Sequence, residues 1–299
     1  MQVFVTGGTG FVGREVVRQL SAAGHRIVVL VRPGSENKLG RSGNIRMHPG
    51  DITQPETLPG GMKDCDAVIH LVGIIREFPQ RGITFERLHV EATKNAVDAA
   101  ASVGIKRFLH MSANGTRRDS RSKYHRTKWR AEEAVRSSPL DWTIFRPSLI
   151  FGSGSDLVEM LAGLIRKLPV VPVIGDGLYR LQPVSVEEVA QSFLKALGMP
   201  ETIHRVFHPG GAESYTFNEL LDVTGRALGQ EKVTKLHQPV FLVRPIVHLM
   251  EGLKAFPITR DQLIMMLEGN ECDARPWAET FGIAPISFAE GVADCFKGK

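Results

Sequence analysis

The feature that most constrains this chain lies at its start. Residues 2–5 (Gln-Val-Phe-Val) form a short apolar strand, and Thr6-Gly7-Gly8-Thr9-Gly10-Phe11-Val12-Gly13 follows at once. A helical pattern (Val12, Val16, Val17, Leu20) begins inside the glycine run. Strand, glycine turn and helix in that order is what a dinucleotide pyrophosphate requires. The turn must be tight, the backbone must approach the phosphates, and the helix must offer free N–H groups at its positive end. Gly7, Gly10 and Gly13 follow the spacing G-x-x-G-x-x-G, and the strand before them and the helix after them supply the context such a motif needs.

The rest of the first half repeats the alternation. Residues 27–31 (Ile-Val-Val-Leu-Val) are a continuous apolar run, suited to a parallel strand buried on both faces. Further strands are expected at 45–48, 66–71, 106–111 and 142–146, and helices over 14–23, 85–103 and 122–136. This pattern predicts an α/β fold with a doubly wound parallel sheet. Beyond residue 150 the alternation loosens. The predicted organisation is a dinucleotide-binding domain over 1–150 and a smaller C-terminal cap or substrate region over 151–299, interleaved with the first through about 184–210. Residues 240–256 are apolar with a helical rhythm, interrupted by Arg244, Pro245, His248, Glu251 and Lys254. The stretch is expected to be cap core, with the wall of a lipophilic substrate pocket or a membrane-docking helix as the alternatives.

Composition narrows the setting. With 299 residues, 42% of them hydrophobic and 23% charged, the chain reads as globular. No run of about 18 apolar residues exists, so no membrane span is expected. Met1-Gln2 leads straight into the first strand, so no leader peptide is expected. Cys65, Cys272 and Cys295 are isolated and lack metal spacing, which fits a reducing cytoplasm, and no metal site is predicted. Seven basic residues lie between Arg117 and Arg130 with only Asp119 opposing among residues 117–130. They read as a solvated face, with an anionic substrate or a membrane surface as the alternatives; without interleaved aromatics a nucleic-acid site is not expected. His70, His110 and His208 are expected to be hydrogen-bonded core histidines.

Tyr124 and Lys128 stand at i and i+4 in the helix after the fifth strand, so they share a face. An ammonium beside a phenol favours the phenolate, and such a tyrosine can act as general acid or base at a carbinol or carbonyl. The lysine can also hold ribose hydroxyls. Ser112 ends the fifth strand and either meets a substrate oxygen or closes a turn; Asn114 and Thr116 are rivals for the polar role. At the end of strand two, where NAD enzymes carry an acid for the ribose 2′-hydroxyl, Arg32 stands instead, and no Asp or Glu occurs between Glu15 and Glu36. Arginine pairs with a 2′-phosphate, with Ser35 and Lys38 as further donors, so NADP (NADPH) is expected over NAD.

These residues, in this order, resemble the extended or atypical short-chain dehydrogenase/reductases of the epimerase/dehydratase type. The match runs through the glycine turn, Gly50-Asp51-Ile52, His89 to Asn95, Met111-Ser112-Ala113, Tyr124 to Lys128, Arg146-Pro147-Ser148 and Gln182 to Ala190. Within that family the chain is similar to the nucleotide-binding accessory subunit of respiratory complex I and its bacterial relatives. The resemblance implies a Rossmann-type sheet and a nicotinamide dinucleotide. It implies Asp51 and Ile52 at the adenine, Leu71, Val72 and Gly73 along the ribose, and Pro147 and Ser148 near the nicotinamide. Ser112, Tyr124 and Lys128 become the triad. Extended enzymes usually have asparagine where His89 stands and a much longer segment between serine and tyrosine. Two functions follow: an NADP-dependent oxidoreductase or epimerase acting on an unidentified small molecule, or a non-catalytic nucleotide-binding sensor, assembly factor or stabilising subunit.

Overall fold

A computed structural model describes residues 1–40, 42–253, 256 and 258–296, without the side chain of Lys38. The expected donor Lys38 and the charge Lys254 lie, in those respects, outside the described residues. The chain divides into two compact units, Met1–Pro147 with Glu187–Phe207 and Ser148–Val186 with His208–Lys299.

The first unit is a seven-stranded, wholly parallel sheet. Its elements are β1 (Gln2–Thr6), α1 (Phe11–Ala22), β2 (Arg26–Val31), β3 (Ile45–Pro49), the short α2 (Pro59–Met62) and β4 (Ala67–His70), followed by α3 (Ala92–Ser102), β5 (Arg107–Met111), α4 (Lys123–Arg136) and β6 (Asp141–Phe145). A last strand, Arg205–Phe207, returns to pair with β6. Reading across the sheet, the order is Arg205–Phe207, β6, β5, β4, β1, β2, β3. This is the expected doubly wound Rossmann-type sheet. The order reverses beside β1, and ligands of such sheets bind outside the carboxyl ends of the strands at that switch point. β1, β2 and β4 are buried along nearly their whole length, which is why they read as unbroken apolar runs.

α1 starts at Phe11, three residues earlier than its periodicity suggested, because Gly10 already supplies the extended N-cap. It buries Val12, Val16, Val17 and Leu20. α3 is preceded by a π-helical turn over Glu86–Glu91, so the helix expected over 85–103 is continuous but changes pitch where it carries His89. α4 is capped by the Ser122 hydroxyl, which accepts the His125 N–H at 3.3 Å. Its buried positions include Lys128, Ala131, Glu132 and Val135, one stripe at helical spacing. Glu132, fully buried, takes a two-pronged ion pair from Arg146 (2.8 and 2.7 Å) and a third contact from Arg136 (2.6 Å).

The second unit packs helices Asp156–Lys167, Phe217–Ala227 and Phe288–Asp294 around Phe151, Leu161, Val173, Leu220 and Val292. Three two-stranded pieces accompany them, including Val171–Ile174 beside Lys235–Gln238. The expectation that residues 240–256 form cap core is overturned. The helix spans Val240–Met250, and Val247 is its only buried residue. Among the described residues no helix is long and apolar enough to cross a membrane.

Candidate functional site

The glycine turn is shaped by close backbone approach. Gly7 adopts φ +74°, and a β-carbon there would stand 3.0 Å from the Leu71 carbonyl carbon. A β-carbon on Gly13 would fall 2.1 Å from the Gly7 carbonyl oxygen, so only glycine lets α1 begin against the turn. The Gly10 N–H donates to that same oxygen at 3.0 Å. Thr9 and Phe11 are half-buried beside it, and Val12 is buried. The Leu71 N–H donates to the Thr6 carbonyl at 3.1 Å, which fixes the end of β4 against the end of β1.

From Leu71 the line of contact continues to the charged centre. A β-carbon on Gly73 would lie 3.0 Å from Lys128 Nζ and 3.8 Å from His89 Nε2. Lys128 Nζ donates to the Met111 carbonyl at 3.0 Å, at the residue before Ser112. An ammonium has three protons to donate, and among the described residues this is its one hydrogen-bond partner. Burial pushes the Lys128 ammonium down to about 8, with Glu132 opposing the shift. Gly7, Leu71, Gly73, Lys128 and Met111 therefore form one path along the carboxyl ends of β1, β4 and β5. Ser112 is buried at the end of that path, and its Oγ lies 3.3 Å from Thr116 Oγ1.

Tyr124 sits one turn before Lys128 on α4, half-buried. Its ring is edge-on to His89 (5.2 Å between centroids, 88°) and to Phe85 (5.7 Å, 80°). His89 in turn stacks on Phe85 at 5.1 Å. Thr127 Oγ1 donates within its own helix turn, so it accepts from His89 Nδ1 at 2.9 Å. Burial, reinforced by Lys128, holds the His89 imidazole well below the usual histidine range. Its Nε2 meets the backbone of Ile74, 3.2 Å from the N–H and 3.0 Å from the carbonyl oxygen. His89 thus ties the loop after β4 to the helix that carries Tyr124 and Lys128.

Beneath the path lies a polar column that spacing alone did not reveal. His70 ends β4 and His110 lies opposite it in β5. The rings stack at 5.5 Å and 12°. His70 bridges Thr6 Oγ1 (2.7 Å) and Thr93 Oγ1 (3.2 Å), as expected of a hydrogen-bonded core histidine. For His110 that expectation fails: neither ring nitrogen has a hydrogen-bond partner. Burial brings His70 down to about 3 and His110 well below its usual range. The signal that could have found the pair is positional, since both residues occupy the fourth place of adjacent parallel strands.

The remaining predicted residues are distributed along the same sheet edge. Arg32 is exposed immediately after β2, and its carbonyl accepts the Ser35 N–H at 3.0 Å in a turn. Asp51 follows β3; its Oδ1 accepts from the Thr53 N–H and Oγ1, both at 2.9 Å. Ile52 is buried, and its carbonyl accepts from Asn95 Nδ2 at 2.9 Å. Val72 is half-buried next to Gly73. Pro147 closes the first unit, and its carbonyl accepts the Asn114 N–H at 2.8 Å. Ser148 belongs to the second unit, where its hydroxyl donates to the Gln182 carbonyl. The basic cluster over 117–130 is not one patch. Lys123 pairs with Glu77 at 2.8 Å, Arg130 with Glu86 at 2.6 Å, and Lys128 is buried.

Comparison with known proteins agrees with the fold. The sequence profile of the NAD dependent epimerase/dehydratase family matches residues 3–208. The chain is 26% identical over 294 residues to the mitochondrial NADH-ubiquinone oxidoreductase 40 kDa subunit of Neurospora crassa, covering 95% of this chain and 76% of that protein. It is 29% identical over 241 residues to the ceramide reductase of Caulobacter vibrioides, covering 80% and 75%. Among solved structures, the UDP-glucose 4-epimerase of Thermotoga maritima superposes with a TM-score of 0.78 at 20% identity, covering 99% of each chain.

Proposed function

The chain belongs to the NAD dependent epimerase/dehydratase family, and from that premise we propose that it is an NADP-dependent oxidoreductase with Tyr124 as its acid or base. The observation that carries this reading is Lys128: a buried ammonium with one hydrogen-bond partner among the described residues, packed against a glycine where a β-carbon would crowd it. A structural lysine would be saturated by carbonyls or a carboxylate. This one keeps donors for ribose hydroxyls, and the close-packed turn at Gly7 and Gly13 leaves the pyrophosphate a backbone cradle. The fit extends to the rim, where Arg32 offers a guanidinium for a 2′-phosphate and no Asp or Glu lies between Glu15 and Glu36 in the sequence.

When bound, the nicotinamide supplies or accepts the hydride. The chain's own part is to hold and move a proton. Tyr124 passes its phenolic proton to the substrate oxygen on reduction and recovers it on oxidation, while Lys128 favours the phenolate. Ser112 is the second polar group at that oxygen. Asp51 and Ile52 border the adenine, Leu71 and Val72 follow the ribose, and Pro147 and Ser148 flank the nicotinamide. A lipophilic carbonyl compound is the substrate class we favour, by analogy with the relative named a ceramide reductase. The three free cysteines, Cys65, Cys272 and Cys295, accord with a reducing, cytoplasmic setting.

A second reading draws on Ser112, whose buried hydroxyl is already engaged by Thr116. Together with the likeness to a complex I subunit, it supports a protein that binds the nucleotide without turning it over. Mass spectrometry of the co-purifying nucleotide, followed by NADPH oxidation against carbonyl and quinone panels, separates the two. Tyr124→Phe is expected to lower turnover by at least about 10²-fold while NADPH still binds. Unchanged turnover removes Tyr124 from the chemistry, tight binding with no turnover selects the second reading, and recovery of NAD alone removes the role given to Arg32.

A further inference from the structure

The helix Val240–Met250 of the second unit is inside out. A helix packed on a soluble domain turns its apolar stripe inward and its polar residues outward. Here Leu242, Ile246 and Leu249, at i, i+4 and i+7, form one stripe and are 54%, 51% and 84% exposed. Phe241 beside them is 72% exposed, and Leu253 just past the helix is 56% exposed. Val247 alone is buried, on the opposite side of the helix. A contiguous apolar surface of this kind marks a docking face.

Charge says what docks there. Residues 232–260 contain five Lys and Arg (Lys232, Lys235, Arg244, Lys254, Arg260) and one acid, Glu251. The remainder of the same unit contains seven Lys and Arg against fourteen Asp and Glu. The apolar stripe is thus carried by the one basic segment of an otherwise acidic unit. Among the described residues Lys235 pairs with Asp222 and Arg260 with Glu251, while Lys232 and Arg244 have no ion-pair partner and are exposed. A cleft of about 380 Å³ opens at the head of the two-stranded piece that leads into the helix, and it adds Arg166 and Lys167 to Lys232. A second copy of the chain would set this basic segment against itself. An apolar stripe with basic flanks is complementary to an anionic bilayer, whose acyl region takes the leucines and whose phosphates take the cations.

We propose that the helix Val240–Met250 docks this protein on an anionic lipid surface, lying in the plane of the interface. The face lies wholly within the second unit, and docking there does not require the proposed activity. The test is co-sedimentation of the intact protein with vesicles of phosphatidylcholine alone or mixed with phosphatidylglycerol. The wild type is expected to partition about tenfold more strongly to the mixed vesicles, less so at high salt. The double variant Leu242→Ser/Leu249→Ser, whose sites are exposed, is expected to lose about tenfold in partitioning while keeping its melting temperature. Arg244→Glu is expected to weaken binding several-fold by charge alone. Absence of binding to mixed vesicles overturns the proposal. So does undiminished binding by the double variant, which would assign the contact to the basic residues 117–130. A wild-type dimer that the double variant renders monomeric also overturns it, in favour of self-association.

Discussion

Strand β5 has a buried cation at each end, and the chain treats them in opposite ways. At the amino end, Arg107 donates to the Ala196 carbonyl (3.3 and 2.7 Å), the Asp141 carbonyl (2.7 Å) and Thr202 Oγ1 (2.8 Å). At the carboxyl end, Lys128 donates to the Met111 carbonyl alone among the described residues. Both lose basicity through burial, Arg107 to about 10 and Lys128 to about 8. The first cation is enclosed by acceptors from the returning segment and holds the edge of the sheet. The second is left under-satisfied where ligands of this fold bind. Holding Lys128 charged in the folded chain costs about 3 kcal/mol, taken from its shift of 10.5 to about 8. A cost of that size where ligands of this fold bind is the signature of function set against stability.

The sharpest way to break this contrast is Lys128→Met. Turnover is expected to fall by about 10²-fold or more, while the nucleotide-free protein gains about 1–3 kcal/mol in urea unfolding at pH 7. The pH dependence has a definite sign. Between pH 8 and 10.5 the unfolded lysine binds more proton than the folded one, so wild-type stability rises there and the gain from the variant shrinks. A loss of stability in Lys128→Met at pH 7 would make the residue structural. Arg107→Met is the opposite case. It removes four hydrogen bonds and strips the guanidinium donors from the Ala196 and Asp141 carbonyls and the Thr202 hydroxyl, so about 2–4 kcal/mol of stability is expected to go, with NADPH affinity of the folded protein unchanged.

The histidines beneath the site extend the comparison to acid. His70, His89 and His110 all have folded pKa values pushed down by burial, His70 to about 3. Below pH 6.5 the unfolded chain therefore binds protons that the folded chain refuses, and stability falls with pH at about 1.4 kcal/mol per unit for each histidine. Equilibrium unfolding between pH 7 and 5 is expected to show that slope, and His110→Leu to reduce it by one proton. The smallest effect is expected at the exposed rim. Arg32→Ser should raise the NADPH dissociation constant by about tenfold and leave NADH unchanged.

Much of the fold was legible because the features that specify it are periodic and local. The apolar run at 27–31, the strand pattern at 66–71 and the glycine spacing each point to an element without reference to a partner. The site was legible as a list of residues but not as an arrangement. Tyr-x-x-x-Lys states that two side chains share a helix face, yet it does not say that Ala131 and Val135 carry that face into the core. The stacking of His70 on His110 depends on strand register across residues far apart in sequence. The stretch at 240–256 misled for a related reason: hydrophobic rhythm reports which residues share a face, not whether that face looks inward.

The return of Glu187–Phe207 to the first unit has a consequence for how the protein is made. Ala196, Thr202 and the strand Arg205–Phe207 all come from that segment. When Pro147 leaves the ribosome, the six earlier strands are complete, but Arg107 lacks most of its acceptors and the outer edge of β6 is bare. At roughly 5–20 residues per second the chain waits several seconds for closure. During that interval an unpaired edge strand and an unsatisfied guanidinium are open to other nascent chains and to chaperones. Synthesis of the first unit is therefore finished from within the second, and slow translation over 148–207 should be felt as aggregation before it is felt as lost activity.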